Sequence, residues 1–254
     1  MNAIKSIGII GYGNVANQLC KAFIDKRLPL QFIAGRDLKK AKLLGVTYSL
    51  QVFSINDKLP NVDLIIMAVS DDSISTINLK IHSSTLLCHT SGSKSILDIQ
   101  HDRKGVFYAL QTFTKDKLID WTSLPFLIQA EIKEDEERLI TLAEQLSSNV
   151  RTMNSQQRKT LHLSAVLSCN FANYLWIQAE KICQENQIDF ELLHPLIKES
   201  SLKIMDISPR EIQTGPAIRK DDKTVKEHID LLQKHEHLAK LYQQMTQLIQ
   251  DEFG

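Results

Sequence analysis

The first residues with recognisable chemistry lie in Ile7–Ala16, where a short apolar run leads into the pattern G-x-G-x-x-A. In such a pattern Gly11 permits a tight turn out of a strand, Gly13 lets the backbone approach a pyrophosphate, and Ala16 keeps the next helix close to the sheet. The free N–H groups at the start of that helix then face the phosphates of a dinucleotide. An ordinary strand–helix turn that needs glycines is the alternative, but the position between a strand and a helix favours the cofactor site. The cofactor contacts predicted here are Gly11, Tyr12, Gly13, Asn14 and Val15.

The residues after the second predicted strand indicate which dinucleotide is bound. Arg36 lies about 25 residues after the first motif glycine, where dinucleotide sites usually place a group for the adenosine ribose. Its guanidinium can form a bidentate pair with a 2′-phosphate, and Lys39 and Lys40 would add positive charge. Asp37 is the alternative, because a carboxylate at this point binds the ribose of NAD. The sequence therefore favours NADP, with NAD the less favoured cofactor, and Arg36 is a predicted cofactor-binding residue.

Two later loops would lie at the same edge of the sheet, because each follows an apolar strand pattern. The first loop contains Ala68, Val69 and Ser70, which we expect on the cofactor, beside the nicotinamide. The second contains Ser91 and Gly92; we expect Ser91 to contact both cofactor and substrate, and Gly92 to contact substrate. Helix-capping turns are the alternative interpretation, since serine is a common N-cap.

A polar stripe interrupts an otherwise apolar helical pattern in the second half of the chain. At about 100° per residue, Asn173 falls about 20° from His162 on the helix surface and Asn170 about 80° away. Buried polar side chains need partners, so a satisfied core network or a subunit contact is the alternative to a substrate site. We expect His162 to exchange a proton with substrate, because an imidazole titrates near neutrality. Asn170 or Asn173 would then orient the substrate or polarise its carbonyl.

A loop with a Gly-Pro turn carries one further basic residue. Arg219 follows Gly215-Pro216 closely and would bind a carboxylate or phosphate of the substrate. The alternative is that this segment only forms the turn and cap that the last helix requires.

Alternating strand and helix signals in the first half of the chain predict a mostly parallel, doubly wound sheet of the Rossmann type. The predicted strands are Ile7–Ile10, Leu30–Ala34, Leu64–Val69, Thr85–His89, Val106–Leu110, Pro125–Ala130 and Asn149–Met153. The predicted helices are Asn14–Lys26, Leu38–Leu44 and Glu134–Leu146.

The second half differs, because strand signals vanish after residue 154 and the pattern becomes helical. The predicted helices are Ser155–Gln187, Asp189–Ile204 and Thr224–Asp251, and Pro195 would bend or divide the middle one. The expected fold class is therefore α/β. An NADP-binding Rossmann domain would span residues 1–154, and an all-α substrate and dimerisation domain would span residues 155–254.

Composition limits the partners that we expect. The chain has 254 residues, 43% hydrophobic and 24% charged, and its 30 basic residues balance 30 acidic ones. Zero net charge argues against nucleic acid or an anionic membrane as a partner. No apolar run has the length of a membrane span, and no secretory cleavage pattern follows the N-terminus. Four dispersed cysteines without C-x-x-C spacing favour reduced thiols in a cytoplasmic protein, with no metal site.

Several stretches together resemble a known family. They are IGIIGYGNVA, AGRDLKKA, VDLIIMAVSDDSI, HTSGS, ALQTFTK (109–115), HLSAVLSCNFANYL and TGPAIRKD. The chain resembles Rossmann-like proteins with a C-terminal DUF2520 domain, within the wider 6-phosphogluconate dehydrogenase-like and pyrroline-5-carboxylate reductase-like assemblage. The resemblance implies an NADP-dependent oxidoreductase whose all-helical second domain supports a homodimer.

The chain also departs from its wider relatives. The K-x-x-x-N pair of hydroxyacid dehydrogenases is missing, because Lys159 is followed four residues on by Leu163. The last loop reads Arg219-Lys220-Asp221 where the family more often has Arg-Gly-Asp. The function expected is hydride transfer between NADP and a small carbonyl, hydroxy-acid or imine substrate in a cleft between the two domains. The alternative is a non-catalytic NADP(H)-binding redox sensor or dimeric regulatory module.

Overall fold

The computed structural model describes residues 3–114, 117 and 119–254. The strands in this part of the chain are β1 Ile7–Ile10, β2 Leu30–Gly35, β3 Gln51–Ser54, β4 Leu64–Met67, β5 Leu86–His89, β6 Lys104–Ala109, β7 Phe126–Ala130 and β8 Val150–Thr152. The helices that accompany them are α1 Asn14–Asp25, α2 Leu38–Tyr48, α3 Asp71–Ile74, α4 Lys133–Glu144 and α5 Ser155–Ala165.

All of these strands join one sheet in the order β3-β2-β1-β4-β5-β6-β7-β8. Every neighbouring pair is parallel except β6 and β7, which are antiparallel. The chain passes from β1 outward to β2 and β3, then returns to the other side of β1 to form β4. This change of direction opens a crevice at the carboxyl ends of β1 and β4, as doubly wound sheets do. The predicted fold class is confirmed.

The sheet is covered on both faces, which explains its apolar strands. In β1, Ile9 belongs to one hydrophobic cluster and Ile10 to another, because successive strand residues point to opposite faces. On the first face the rings of Phe107 and Phe126 lie 5.0 Å apart, centroid to centroid. Strands buried on both faces read as continuous apolar runs, so β1 and β4 were predictable.

The edge strand β3 is absent from the sequence prediction. It pairs with β2 from Gln51 to Ser54, and none of its residues is fully buried. A four-residue edge strand with polar ends carries neither a long apolar run nor a clear alternation, which is why the pattern did not indicate it. The preceding helix α2 also continues to Tyr48, past its predicted end at Leu44.

The chain divides into two compact units, Met1–Val166 and Leu167–Gly254. The first unit includes the whole of α5, whereas the predicted domain boundary precedes α5; that boundary stays a prediction. The second unit is helical in its described residues, with α6 Ala172–Glu185, α7 His194–Asp206, α8 Asp222–Leu231 and α9 Glu236–Phe253.

The last predicted helix is wrong in one respect, because two helices replace the single helix Thr224–Asp251. Helix α8 ends at Leu231 and α9 starts at Glu236. The intervening turn buries Leu232 and places His235 Nε2 2.8 Å from Glu185 Oε2 of α6. No Gly or Pro marks this turn, so only packing within the unit reveals it. Pro195 lies in the first turn of α7, where proline is tolerated.

The four cysteines are free thiols, and Cys20, Cys88 and Cys183 are buried while Cys169 is exposed. Burial raises the pKa of Cys20 to about 12, which keeps that thiol protonated and unreactive. None of the helices in the described part of the chain combines the length and the apolar character that crossing a bilayer demands.

Candidate functional site

The turn after β1 requires glycine. Gly11 has a φ of +129°, and a side chain there would overlap the carbonyl oxygen of Ala68 at the end of β4. The Gly11 N–H donates to Ala34 O of β2 at 2.9 Å. The first motif residue therefore lies where three strand ends meet, and only a residue without a Cβ allows that approach.

The N-terminus of α1 is open. Gly13 is the N-cap residue and no side chain caps the helix, so its first N–H groups are available to a ligand. A Cβ at Gly13 would meet nothing within 4 Å. No acidic residue lies in the first turn. The free N–H groups and the positive end of the helix dipole favour an anion here.

This turn borders a cavity of about 890 Å³. Every predicted cofactor residue except Ser91 lines it: Gly11, Tyr12, Gly13, Asn14, Val15, Arg36, Ala68, Val69 and Ser70. Lining residues that the sequence did not single out include Asn56, Ser73, Thr76, Asn78, Gln111 and Phe113. Ser73 lies in α3 and the others lie in loops, and their positions depend on the fold rather than on a local motif.

The two candidates for the ribose end of the cavity have different surroundings. Arg36 is exposed and lines the cavity. Asp37 is the N-cap of α2, and its Oδ1 accepts hydrogen bonds from the backbone N–H groups of Lys39 at 2.9 Å and Lys40 at 3.2 Å. One oxygen of the carboxylate thus caps its own helix. Lys40 Nζ lies 5.9 Å from the centroid of the Tyr12 ring.

The loop after β6 is held against α1. The Asn14 side-chain amide donates to Phe113 O at 3.1 Å, and the Gln18 amide donates to Thr114 O at 2.8 Å. Asn14 therefore uses one N–H of its side-chain amide to fix the loop. Lys115, the last residue of the ALQTFTK stretch, lies outside the described residues.

A smaller pocket of about 200 Å³ adjoins the cavity, and both are lined by Val15, Gln111 and Phe113. The other residues around the smaller pocket are Leu19, Asp71, Thr90, Ser91, Gly92, Phe107, Tyr108, Ala109 and His162. The predicted proton-exchanging residue His162 and the predicted substrate residues Ser91 and Gly92 are therefore brought together.

His162 meets a tyrosine that sequence analysis missed. The Tyr108 hydroxyl lies 3.4 Å from His162 Nδ1, and the two rings are arranged edge to face with centroids 6.5 Å apart. Gly92 makes room for both, since a Cβ there would lie 2.7 Å from His162 Nδ1 and 2.9 Å from Tyr108 Cζ. Tyr108 lies at the end of β6, distant in sequence from His162, so no local spacing indicates the pair.

Ser91 shapes a turn. Its Oγ accepts hydrogen bonds from the backbone N–H groups of Ser93 at 3.2 Å and Lys94 at 3.1 Å. This is the turn-capping role that stood as the alternative in the sequence. Ser91 lies in the smaller pocket and not in the larger cavity, so its predicted contact with the cofactor lacks support from the cavity lining.

Arg158 stabilises this turn through hydrogen bonds from its guanidinium group. The guanidinium is fully buried and donates from Nε to Ser91 O at 3.2 Å and from Nη2 to Lys94 O at 2.5 Å. Its Nη1 donates to Gln129 Oε1 at 2.9 Å. Burial lowers the pKa of Arg158 to about 10, and the group still carries its charge at neutral pH. Arg158 lies one helical turn before His162 on α5, so it fixes the helix and the turn that meet at the pocket.

His89 supports the same turn from the end of β5. Its Nδ1 accepts from the Ser91 N–H at 3.1 Å, and its Nε2 lies 3.3 Å from Ser95 O. These contacts require a proton on Nε2 only. Burial lowers the pKa of His89 to about 4, with the Arg158 charge contributing, so the ring is neutral near pH 7.

Asn170 and Asn173 lie in the second unit, and both are exposed. Residues Val166–Phe171 form a π-helical segment between α5 and α6. A π-helix bonds residue i to i+5 and has more residues per turn than an α-helix. The 100° spacing used to place the asparagines on one stripe with His162 is therefore wrong across this segment.

Arg219 also lies in the second unit and is exposed. The loop around it forms the helix cap that stood as the alternative. Asp221 is the N-cap of α8, and it accepts from Thr224 N at 3.1 Å and from the Thr224 hydroxyl at 2.8 Å. The predicted substrate contact of Arg219 stays a prediction.

Comparison with family models finds a domain of unknown function, DUF2520, over residues 124–249. A Bacteroides fragilis protein designated as a candidate NADP oxidoreductase is 30% identical, with 98% of each chain covered and a TM-score of 0.91. The chain belongs to the DUF2520 family of Rossmann-like proteins. The predicted family is therefore confirmed.

Two more distant structures share the fold of this DUF2520 protein. A Thermotoga maritima protein is 22% identical over 97% of this chain and 98% of its own, with a TM-score of 0.71. A 1-pyrroline-5-carboxylate reductase from Streptococcus pyogenes is 16% identical over 99% of this chain and all of its own, with a TM-score of 0.62. No functionally curated protein gives a significant match.

Proposed function

We propose that this DUF2520 protein is an NADP(H)-dependent oxidoreductase acting on a small carbonyl or imine compound. One observation carries the proposal: a cavity suited to a dinucleotide shares three lining residues with a small pocket that contains a histidine and a tyrosine in contact. The reductases among its structural relatives, and the NADP oxidoreductase designation of the Bacteroides fragilis protein, agree with this assignment.

The residues of the larger cavity fit a dinucleotide. The uncapped N-terminus of α1 offers N–H groups to a pyrophosphate, and the open space at Gly13 admits it. When bound, the nicotinamide supplies or accepts the hydride. Ala68, Val69 and Ser70 lie at the carboxyl end of β4, where they would contact that half of the cofactor.

The ribose end favours NADP over NAD. Arg36 is a basic side chain that lines the cavity, whereas Asp37 is not among the lining residues and directs its Oδ1 to the start of its own helix. A guanidinium in this position suits a 2′-phosphate, which a free carboxylate would repel.

Replacing Arg36 with Ala tests this assignment. The variant should bind NADPH about 10- to 100-fold more weakly, because a charge-assisted bidentate contact is lost, and NADH about equally well. Fluorescence titration of the bound nicotinamide measures both affinities, with Lys26→Ala as the control at an exposed position. Equal losses for NADPH and NADH would contradict the 2′-phosphate contact.

His162 is the proposed proton-exchanging residue of the smaller pocket. Transfer of a hydride to a carbonyl carbon leaves a negative oxygen that must gain a proton, and an imidazole can donate it near neutral pH. The contact with Tyr108 orients the ring. Burial raises the pKa of Tyr108, so its hydroxyl stays protonated and able to donate a hydrogen bond. The orienting roles of Asn170 and Asn173 remain predictions.

Oxidation of NADPH in the presence of a panel of keto acids, aldehydes, ketones and cyclic imines tests the activity. Steady consumption with one class supports an oxidoreductase, and His162→Ala should then lose most turnover while keeping NADPH affinity. Tight NADPH binding with no consumption across the panel would favour the redox-sensor alternative. Absence of NADPH binding by the wild-type chain would overturn both.

A second copy of the chain is the proposed partner of the helical unit. Large apolar side chains are exposed along the π-helical segment and α6, among them Leu167, Phe171 and Trp176. Exposed apolar side chains in such numbers are typical of a subunit contact. Light scattering after gel filtration should give twice the chain mass; a monomer at all concentrations would contradict the proposal.

A further inference from the structure

The smaller pocket has one acidic side chain among its described lining residues and no Lys or Arg to balance it. The acidic residue is Asp71. Phe107, Tyr108 and Phe113 contribute aromatic rings to the wall, and Thr90, Gln111 and His162 contribute polar groups. A partly buried carboxylate gains when a positive group joins it there.

Asp71 is held so that one of its oxygens stays available. It is the first residue of α3 and is half-buried, and its Oδ2 accepts a hydrogen bond from the Ser93 hydroxyl. Its Oδ1 has no hydrogen-bond partner within the described part of the chain. The Ser93 contact fixes the orientation of the carboxylate without neutralising its charge.

The nearby positive charge cannot serve an anionic ligand. The Arg158 guanidinium is fully buried behind the turn, and its donors point to Ser91 O, Lys94 O and Gln129 Oε1. It does not line the pocket. A bound carboxylate would therefore face Asp71 without a guanidinium or ammonium donor among the described lining residues of the pocket, which like-charge repulsion disfavours.

The field of Asp71 reaches the residues that would act on substrate. Burial raises the pKa of Tyr108, and the Asp71 charge raises it further while Arg158 lowers it. The carboxylate is thus electrostatically coupled to the hydroxyl that contacts His162. A positive ligand placed between these groups would gain from the same field.

We propose that the smaller pocket selects a planar cation, a protonated imine, and that Asp71 recognises its charge. This inference rests on the proposed function and names the substrate class of that same site. Hydride addition to the iminium carbon forms a C–H bond, the C=N π pair returns to nitrogen as a lone pair, and the reduced nicotinamide is oxidised. The product is an amine. An imine that arrives neutral first takes a proton, for which His162 is the donor.

Three ligands of one shape and different charge test the proposal: benzamidinium, benzamide and benzoate. Each is titrated into the full chain with saturating NADPH near neutral pH, and binding is measured by calorimetry. Benzamidinium should bind at least about tenfold more tightly than benzamide and benzoate. A preference for benzoate or benzamide, or no binding of benzamidinium at millimolar concentration, would overturn the proposal.

A pair of neighbouring substitutions isolates the carboxylate. Asp71→Asn should bring benzamidinium to within about twofold of benzamide, with NADPH affinity unchanged, because Asp71 does not line the larger cavity. Asp72→Asn removes a charge from the same turn of α3, on an exposed residue outside the pocket, and should keep the cation preference. An unchanged preference in Asp71→Asn would overturn the role of that residue.

These measurements distinguish the proposed oxidoreductase function from the proposed preference of the smaller pocket for a cation. A chain that binds no NADPH but still prefers benzamidinium when titrated without the cofactor would refute the proposed function and leave the pocket selectivity standing. A chain that binds and oxidises NADPH but prefers benzoate would do the reverse. If Asp71→Asn fails to fold, the ranking of the three ligands on the wild-type chain decides the question alone.

Discussion

The larger cavity and the smaller pocket lie side by side but are built in different ways. At the centre of the cavity lies a backbone turn at strand ends, and a single contiguous stretch, Gly11 to Val15, contributes five of its lining residues. The smaller pocket is formed by residues that converge from α1, α3, β6, α5 and the loops after β5 and β6. A backbone turn of this kind requires glycine at fixed positions. A pocket formed by side chains depends instead on buried residues that hold those side chains in place, here Arg158 and His89.

The largest expected effect comes from breaking the backbone site. Gly11→Ala forces a Cβ into the Ala68 carbonyl at a φ of +129°, and should cost more than about 3 kcal/mol of unfolding free energy. Gly13→Ala is the matched control, because its Cβ meets open space; stability should change by less than about 1 kcal/mol. Urea unfolding measures both. Similar losses for the two variants would show that the close approach at Gly11 is not what the glycine provides.

The second test acts on the scaffold of the side-chain site. Arg158→Met leaves the Ser91 and Lys94 carbonyls without their guanidinium donor, while Gln129 Oε1 keeps its hydrogen bond from the Ser155 hydroxyl, and should cost about 3 kcal/mol. The exposed Arg151→Met should cost less than about 0.5 kcal/mol. NADPH affinity of folded Arg158→Met should stay within about threefold of wild type, because the cavity does not use this residue. A large loss of that affinity would mean that the two regions are not separable.

A third test uses pH. Folded His89 has a pKa of about 4 against 6.5 for an unperturbed histidine, so the unfolded state takes up the proton first as the pH falls. The stability from this residue is complete above about pH 6.5 and is lost toward pH 4, by about 3 kcal/mol. His89→Asn should flatten the fall in unfolding free energy over this range. His82→Gln, on an exposed histidine, should not; equal slopes for wild type and His89→Asn would refute the assignment.

The same comparison explains what could be predicted from the sequence. The turn at Gly11 and the central strands were predictable, because each depends on residue type at a fixed local spacing. Tyr108 and Arg158 were not, since their roles arise from contacts with residues far away in the chain. The π-helical segment Val166–Phe171 was also missed, because its apolar sequence is compatible with an α-helix.

The antiparallel pair β6 and β7 has a consequence for the path of the chain. Because β7 and β8 run opposite to the other strands, the carboxyl end of β8 lies opposite to the carboxyl ends of β1 and β4, where the cavity lies. Helix α5 starts there, with Asn154 as its N-cap, and runs toward the cavity, so that His162 contacts Tyr108 at the end of β6. If β7 were parallel to β6, α5 would begin on the cavity side of the sheet and run away from it, and His162 would lie far from the end of β6. The reversed direction of β7 therefore places His162 of α5 in a pocket that is also lined by Val15, near the start of the chain.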